Sequence, residues 1–234
     1  MPFKKKKENL VIIPAFNEED NIKEVVNLAL LHSDVCVIDD CSTDNTRKIL
    51  HEIDGIKIIE HNSNTHIAKS IIEGFYFSQT HNYKYVISMD AGLSHDPGEI
   101  PHFLNYDHCD LLIGKREKVF NKPIRRVLLT KVGNFIYNLV LNFPFSIFNF
   151  KRYNDLTSGY RRFSKQFILT ILKKKINTKS FDFLLEEVWC AYKNNLIIRE
   201  IPISFRYTNS SINKKVIIEC ILYSLKVMLK LEKK

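Results

Sequence analysis

The chain has 234 residues, 45% of them hydrophobic and 26% charged, enough to bury a full core as one domain and too apolar for intrinsic disorder. Lysine and arginine number 35 against 26 acidic residues, a net charge of +9 that suits a polyanion, an anionic membrane surface or a phosphorylated substrate. Seven glycines exclude collagen-like and glycine-linker chains, and the five cysteines (Cys36, Cys41, Cys109, Cys190, Cys220), without CxxC spacing, exclude a zinc ribbon or disulfide framework and point to a reducing compartment.

The start, MPFKKKKENLVIIP, carries Lys4 to Lys7 and reads as a solvated tail, as do Lys230, Lys233 and Lys234 at the far end. It reaches Pro14 after four apolar residues, too few for a signal peptide, and no later run approaches the roughly 18 to 20 apolar residues of a spanning helix. The expectation is a protein that is soluble or lies on a membrane. From Leu10 to Gly114 short apolar strands alternate with helical segments, the pattern of a parallel sheet covered by helices. Leu10 to Ile13 is the first strand, and Glu18 to Leu31 then places Ile22, Val25, Val26, Ala29 and Leu30 at helical spacing. Val35 to Ile38 precedes a helix at Thr43 to Ile53, and Ile56 to Ile59 precedes one at Ile67 to Ser78. Tyr85 to Met89 and Leu111 to Ile113 are the fourth and fifth strands.

The second half differs. Pro123 to Phe150 has a basic start (Arg125, Arg126, Lys131) and many apolar residues, and reads as two short amphipathic helices broken at Pro144, either packed on the sheet or lying at a membrane interface. Phe181 to Lys193 is helical, Leu196 to Ile203 is a strand ended around Pro202, and Val216 to Leu231 is a last amphipathic helix.

In open α/β sheets ligands bind at the carboxyl ends of the strands, so the polar residues there carry the functional reading. After the first strand come Pro14, Ala15, Phe16, Asn17, Glu18 and Glu19, which taken alone suit a helix start with Asn17 as cap. After the second, Asp39, Asp40 and Asp44 put three carboxylates in six positions. Asp44 or Thr43 can cap the next helix, but capping needs no Asp39-Asp40 pair, and a carboxylate there can accept from a nucleobase ring N–H or ribose hydroxyls. After the fourth, Asp90 is placed to meet a divalent cation bridging two phosphates. Asp96-Pro97 reads as a helix start, and His95 beside it as a metal ligand or, more ordinarily, a surface residue.

Taken together, VIIPAFNEEDNI, VIDDCSTDNT, MDAGLSHDPGEIP, LIGKR, DLTSGYRRFSK and REIPISF resemble the family 2 glycosyltransferases, and within them the dolichyl-phosphate or polyprenyl-phosphate mannosyltransferase group, over nearly the whole chain. The resemblance implies an α/β nucleotide-binding sheet of the glycosyltransferase A type with helices on both faces. It implies one domain, with a nucleotide-sugar half at about 8–120 and an acceptor half at about 121–234. The implied reaction is inverting transfer of a sugar from a GDP-mannose-like donor to a polyprenyl or dolichyl phosphate or another membrane-linked glycan acceptor. The implied cofactor is Mg²⁺ or Mn²⁺, and the implied location is peripheral, on the cytoplasmic face of a membrane.

By the same resemblance Pro14, Phe16 and Glu18 line the base pocket, and Ile38 and Asp40 contact base and ribose. Asp90 and Ala91 begin the family's Asp-Ala-Asp metal motif, with Asp90 the metal ligand. Arg116 and Lys214 are the cations at the departing diphosphate, Arg125 or Arg126 meets the acceptor phosphate, and Ser158 lies in the matching TSG segment. A diphosphate donor and a phosphate acceptor bring several negative charges together and need such cations. A lipid phosphate is already anionic and needs no general base; for a sugar hydroxyl, Glu186 is the first base candidate, against a role on the helix surface.

The sequence departs from the family pattern at Gly92, where the second metal-motif Asp is expected, and at Asn64 to Lys69, which lacks the usual glycines. It departs again at Thr208, Ser211 and Asn213 near the C-terminus. These departures motivate an alternative, a non-catalytic binding or scaffold protein of the same fold. Nucleic-acid binding is set aside, since the basic residues do not interleave with aromatics in any recognisable module.

Overall fold

The computed structural model describes residues 3–120, 124–142, 152–176, 178–207, 220, 222–225 and 227, and the backbone alone for 124–126. Its strands are Asn9–Ala15 (β1), Asp34–Asp39 (β2), Lys57–Glu60 (β3), Tyr85–Ser88 (β4), Leu111–Phe120 (β5), Arg161–Ser164 (β6) and Ile198–Arg206 (β7). They form one sheet in the order β3-β2-β1-β4-β6-β5-β7. Strands β1 to β4 are mutually parallel, β5 and β7 are parallel to each other, and β6 runs antiparallel to both its neighbours.

Period-two alternation in β1 shows why helices cover both faces. Leu10 and Ile12 join a core with Phe75, Tyr137, Phe167 and Val188, under helices His66–Thr80 (α3), Ile124–Leu141 (α5), Lys165–Ile171 (α6) and Asp182–Lys193 (α7). Val11, Ile13 and Ala15 join the opposite core with Ile22, Val26, Leu50 and Phe103, under Ile22–Leu30 (α1), Thr46–His51 (α2) and Ile100–Asn105 (α4). Packing of α3 on β1 is close: a Cβ on Gly74 would stand 2.5 Å from Cδ1 of Ile12.

Two sequence expectations change. The lysine run is docked rather than a solvated tail: Lys7 Nζ donates to the carbonyls of Leu30 and Leu31 (2.8 and 2.7 Å), and Lys5 Nζ to those of His81 and Asn82 (3.1 and 2.9 Å). Each ammonium thus meets orphan carbonyls at the C-terminus of a helix, where the dipole favours a cation. β7 passes through Pro202 instead of ending there; it is the edge strand, where a missing N–H removes no bond to a further neighbour. α5 runs to Leu141, as the first of the two helices expected between Pro123 and Phe150, while the break at Pro144 and the rest of 143–151 lie outside the described residues, as does most of the last helix.

The sequence reading did not include β6, a strand with no apolar alternation. Arg161 and Arg162 are both 0% exposed. The Arg162 guanidinium donates to the carbonyls of Phe103 and Tyr106 (2.6 and 3.0 Å) and of Asp107 (2.9 Å), closing the end of α4. Arg161 donates to the carbonyls of Leu156, Ser158 and Leu184 and pairs with Glu187 at 2.6 Å. A buried charge is tolerable only when so paired.

Candidate active site

The loops after β1 and β2 lock together. The Asn17 amide donates to Ser42 Oγ (3.0 Å), the Thr43 amide to Asn17 Oδ1 (2.8 Å), the Glu18 amide to Thr46 Oγ1 (2.8 Å) and the Asn45 amide to Glu19 Oε2 (2.9 Å). Asn17 therefore ties the two loops instead of capping α1, and at the start of α2 the cap position falls to Asn45, with Asp44 just before it accepting from the Thr46 amide at 2.9 Å. On this frame the Phe16 ring stands exposed, while Pro14 is half-buried and Ile38 has no exposed surface, packing within the core.

Glu18 lies half-buried beside it. Burial raises its carboxyl above the ordinary value, and the charge of Asp90 raises it further, so these two carboxylates share one field at the ends of the adjacent strands β1 and β4.

Asp40 is buried and turned to the N-terminus of α3. Its carboxylate accepts from the Thr65 and His66 amides (2.7 and 2.8 Å), from Thr65 Oγ1 (3.0 Å) and from His61 Nδ1 (2.7 Å). His61 Nε2 meets Glu73 at 2.8 Å, so two carboxylates grip one imidazole. Asp39 is fully buried and paired with Arg47 at 2.8 Å. Both members of the acidic pair after β2 thus hold local structure.

Asp90 follows β4 with its carboxylate 47% exposed. Its amide donates to Nδ1 of His95 (3.1 Å), which makes that nitrogen an acceptor and puts any ring proton on Nε2. His95 is only 1% exposed, a correction to the surface reading, stacked on Tyr160 with ring centroids 4.8 Å apart and packed against Phe205. Burial holds its pKa below the ordinary histidine value. Ala91 is buried, and Leu93, next after Gly92, adopts φ 54°.

The segment before β6 completes the site. A Cβ on Gly159 would stand 3.8 Å from both Asp90 Oδ1 and His95 Cε1, so the TSG segment lies against Asp90. The Gly159 carbonyl accepts from Ser88 Oγ (2.8 Å), and Ser158 is buried with no partner for its hydroxyl among the described residues. Arg116, near the middle of β5, is clamped: Nε and Nη2 donate to Asp155 (2.7 and 2.6 Å), and Nη2 also to Thr157 Oγ1 (2.6 Å). Burial pushes the Asp155 carboxyl up, but the bonds and charge of Arg116 outweigh it and hold it below its ordinary range.

Among the described residues no three His, Cys, Asp or Glu side chains are grouped to hold a metal. Asp90 fits a cation that arrives on phosphates, because Mg²⁺-type ions take one or two carboxylates and complete their shell with phosphate oxygens and water. Glu186, the base candidate, is neither at this site's loops nor on the helix surface: it is buried in α7 with Thr178 Oγ1 donating to it at 2.5 Å. Lys214 lies outside the described residues, as do the side chains of Arg125 and Arg126. Asp155 and Thr157 were not singled out from the sequence; their signal was the polar spacing of DLTSG, of which only Ser158 was named as a site residue.

Residues 10–175 match the Glycosyl transferase family 2. The chain is 27% identical over 219 residues to the polyprenol monophosphomannose synthase of Mycolicibacterium smegmatis, covering 88% of this chain and 80% of the relative. It is 30% identical over 222 residues to the UDP-N-acetylglucosamine–dolichyl-phosphate N-acetylglucosaminyltransferase of Methanococcus voltae, covering 86% of each. Among solved structures, glucosyl-3-phosphoglycerate synthase from Mycobacterium tuberculosis, in complex with Mn²⁺, UDP and glucosyl-3-phosphoglycerate, superposes with a TM-score of 0.70 at 14% identity, covering 94% of this chain and 79% of that one. That likeness establishes the fold, the glycosyltransferase A type expected from the motifs. The chain belongs to glycosyl transferase family 2, and it is a transferase enzyme.

Proposed function

We propose that the protein transfers a sugar, with inversion, from a GDP-mannose-like nucleoside diphosphate donor to a polyprenyl or dolichyl phosphate at a membrane surface. The observation that carries this reading is the convergence of Phe16 and Glu18, Asp90 with His95, and the clamped Arg116 at one end of the sheet, beside the Ser158-Gly159 segment. The printed names of the relatives support the acceptor class: polyprenol for one, dolichyl phosphate for the other.

In this reading Phe16 offers a ring to stack on the base, and Glu18 accepts from its ring N–H. Asp90 is the residue that would hold the cation, which supplies charge neutralisation to the diphosphate when bound. An acceptor phosphate oxygen attacks the anomeric carbon from the face opposite the diphosphate, the bond from that carbon to the diphosphate oxygen breaks, and its electron pair leaves with the nucleoside diphosphate. The attacking oxygen is already anionic, so no side chain need remove a proton. The chain's task is to balance charge, which Arg116 begins and Lys214, with Arg125 or Arg126, would complete. Asp40, held by the α3 N-terminus, shapes the wall of the nucleotide pocket, with Pro14, Ile38 and Ala91 beneath or beside it.

Exposed side chains on α5 support a peripheral membrane contact: Leu128, Leu129, Val132 and Phe135 form an apolar group, Phe135 being 69% exposed. No described helix is long and apolar enough to cross a membrane. Labelled GDP-mannose and UDP-N-acetylglucosamine, each incubated with polyprenyl phosphate in vesicles and with Mg²⁺ or Mn²⁺, test the reading. Label in the lipid phase from one donor supports it; none from either sugar under any metal refutes it and favours a non-catalytic role.

A further inference from the structure

Glu200 lies on β7, paired in register with Ile113 of β5, three positions before the Ile203–Arg116 pair. Its carboxylate faces the chain just before the TSG segment and accepts four contacts there. The Asn154 amide donates to both of its oxygens (2.8 and 2.9 Å), Asn154 Nδ2 to Oε2 (2.8 Å) and the Asp155 amide to Oε1 (2.7 Å). An ionised acceptor taking several N–H donors forms the stronger class of hydrogen bond.

The next residue in the chain of contacts is Asp155 itself. With its amide held by Glu200, its carboxylate receives Nε, Nη2 and the backbone amide of Arg116 (2.7, 2.6 and 3.1 Å), and Thr157 Oγ1 at 3.0 Å. The guanidinium is thereby fixed along one edge, and Nη1 is left without a hydrogen bond among the described residues. From the other side α5 holds the same segment: Asn134 Nδ2 donates to the Asn154 carbonyl (2.8 Å), Asn134 Oδ1 accepts from the Leu156 amide (2.9 Å) and Asn138 Oδ1 from the Tyr153 amide (2.8 Å). Removing Glu200 would therefore leave the segment in place but release the two amides that orient Asp155.

We propose that Glu200 is a positioning residue of the transfer site: by holding the backbone of Asn154 and Asp155 it aims the Asp155 carboxylate and so sets the guanidinium of Arg116. The consequence for transfer rests on the reading of Arg116 as a contact of the donor diphosphate.

Glu200→Ala and Glu200→Gln, made in the full chain, test this in two ways. The first is the rate at which phenylglyoxal modifies Arg116, followed by peptide mass mapping, with the fully buried Arg162 as internal control. A guanidinium loosened from its clamp reacts about tenfold faster in Glu200→Ala, on the scale that small misplacements carry in active sites, while Glu200→Gln, which keeps an oxygen for the two amides, stays near wild type. An unchanged rate in Glu200→Ala, or equal acceleration at Arg162, overturns the proposal.

The second is a binding cycle with GDP and UDP. Glu200→Ala weakens the nucleotide that binds wild type by about tenfold, and adds nothing further in an Arg116→Ala background, because both changes remove the same contact. Losses that simply add overturn the proposal. If Arg116→Ala binds both nucleotides as wild type does, the diphosphate reading of Arg116 fails, and the phenylglyoxal rate alone decides the role of Glu200.

Discussion

The amide of Asp90 donates to Nδ1 of His95 at 3.1 Å, so the residue that would meet a phosphate-borne cation is tied through its backbone to a buried, uncharged imidazole. His95 reaches that position because its ring stacks on Tyr160 and packs against the tilted ring of Phe205, and because its backbone bridges to Phe205 near the end of β7. His95→Phe keeps the aromatic packing and deletes the acceptor. Leaving the Asp90 amide without a partner should cost about 1 to 3 kcal/mol in urea unfolding and lower turnover more than tenfold, since the Asp90 loop loses its anchor. A variant with wild-type turnover would show that the loop holds itself.

Asp155→Asn breaks the pair with Arg116 while preserving shape. Both side chains are largely buried, 7% and 12% exposed, so an uncompensated guanidinium should cost on the order of 3 kcal/mol. The folded carboxyl lies below its ordinary value, so its contribution to stability is complete above the unfolded value of 3.8 and is lost as pH falls through the folded one. Urea midpoints measured across the acid range should therefore fall less steeply for Asp155→Asn than for wild type.

His61 gives the opposite sign. Burial lowers its pKa, but the bonds to Asp40 and Glu73 outweigh burial and raise it above 6.5. The stability this imidazolium contributes is complete below 6.5 and is lost as pH rises through the folded value. Thermal midpoints followed from pH about 6 to about 9 should decline more for wild type than for His61→Phe, and loss of that difference would mean that His61 is neutral throughout.

His66 opens α3 with φ 68°, a left-handed conformation that costs a side chain roughly 1 to 2 kcal/mol. Its ring is exposed and its amide supplies the bond to Asp40, so His66→Gly should keep the contact and raise stability by about 1 kcal/mol, read as a higher thermal midpoint. A lower midpoint would mean that the imidazole makes a contact stronger than the strain it relieves. Asn17, Cys41 and Leu93 show the same geometry in the loops after β1, β2 and β4, which is where strain is commonly held near a ligand site.

Much of the fold is local and was legible from the residues in order. Apolar runs such as Leu10 to Ile13 and Val35 to Ile38 form strands because only a buried sheet satisfies both their side chains and their backbone, and the polar residues that follow must then sit at the strand ends. Asp90 could be singled out on that ground alone, whereas Phe16 and Glu18, which taken alone suit a helix start, were marked by the family resemblance. Other features depend on partners that are distant in the chain. Arg116 meets Asp155 across 39 positions and Asp155 meets Glu200 across 45, and nothing in the spacing of those residues marks them as neighbours. Arg161 and Arg162 are buried only because the folded sheet supplies carbonyls and Glu187 for them, and the grip of the α3 amides on Asp40 joins residues that lie 25 and 26 positions apart. Periodicity records which face a residue shows to the core, so the sequence by itself determined the strands β1 to β5 and β7, the helices between them and the site-bearing edge of the sheet, but not β6, which has no apolar alternation. Charge pairing depends on three-dimensional proximity, so only the tertiary structure decided which of those charges are paired within the scaffold and which, like the carboxylate of Asp90, stay exposed at the strand ends.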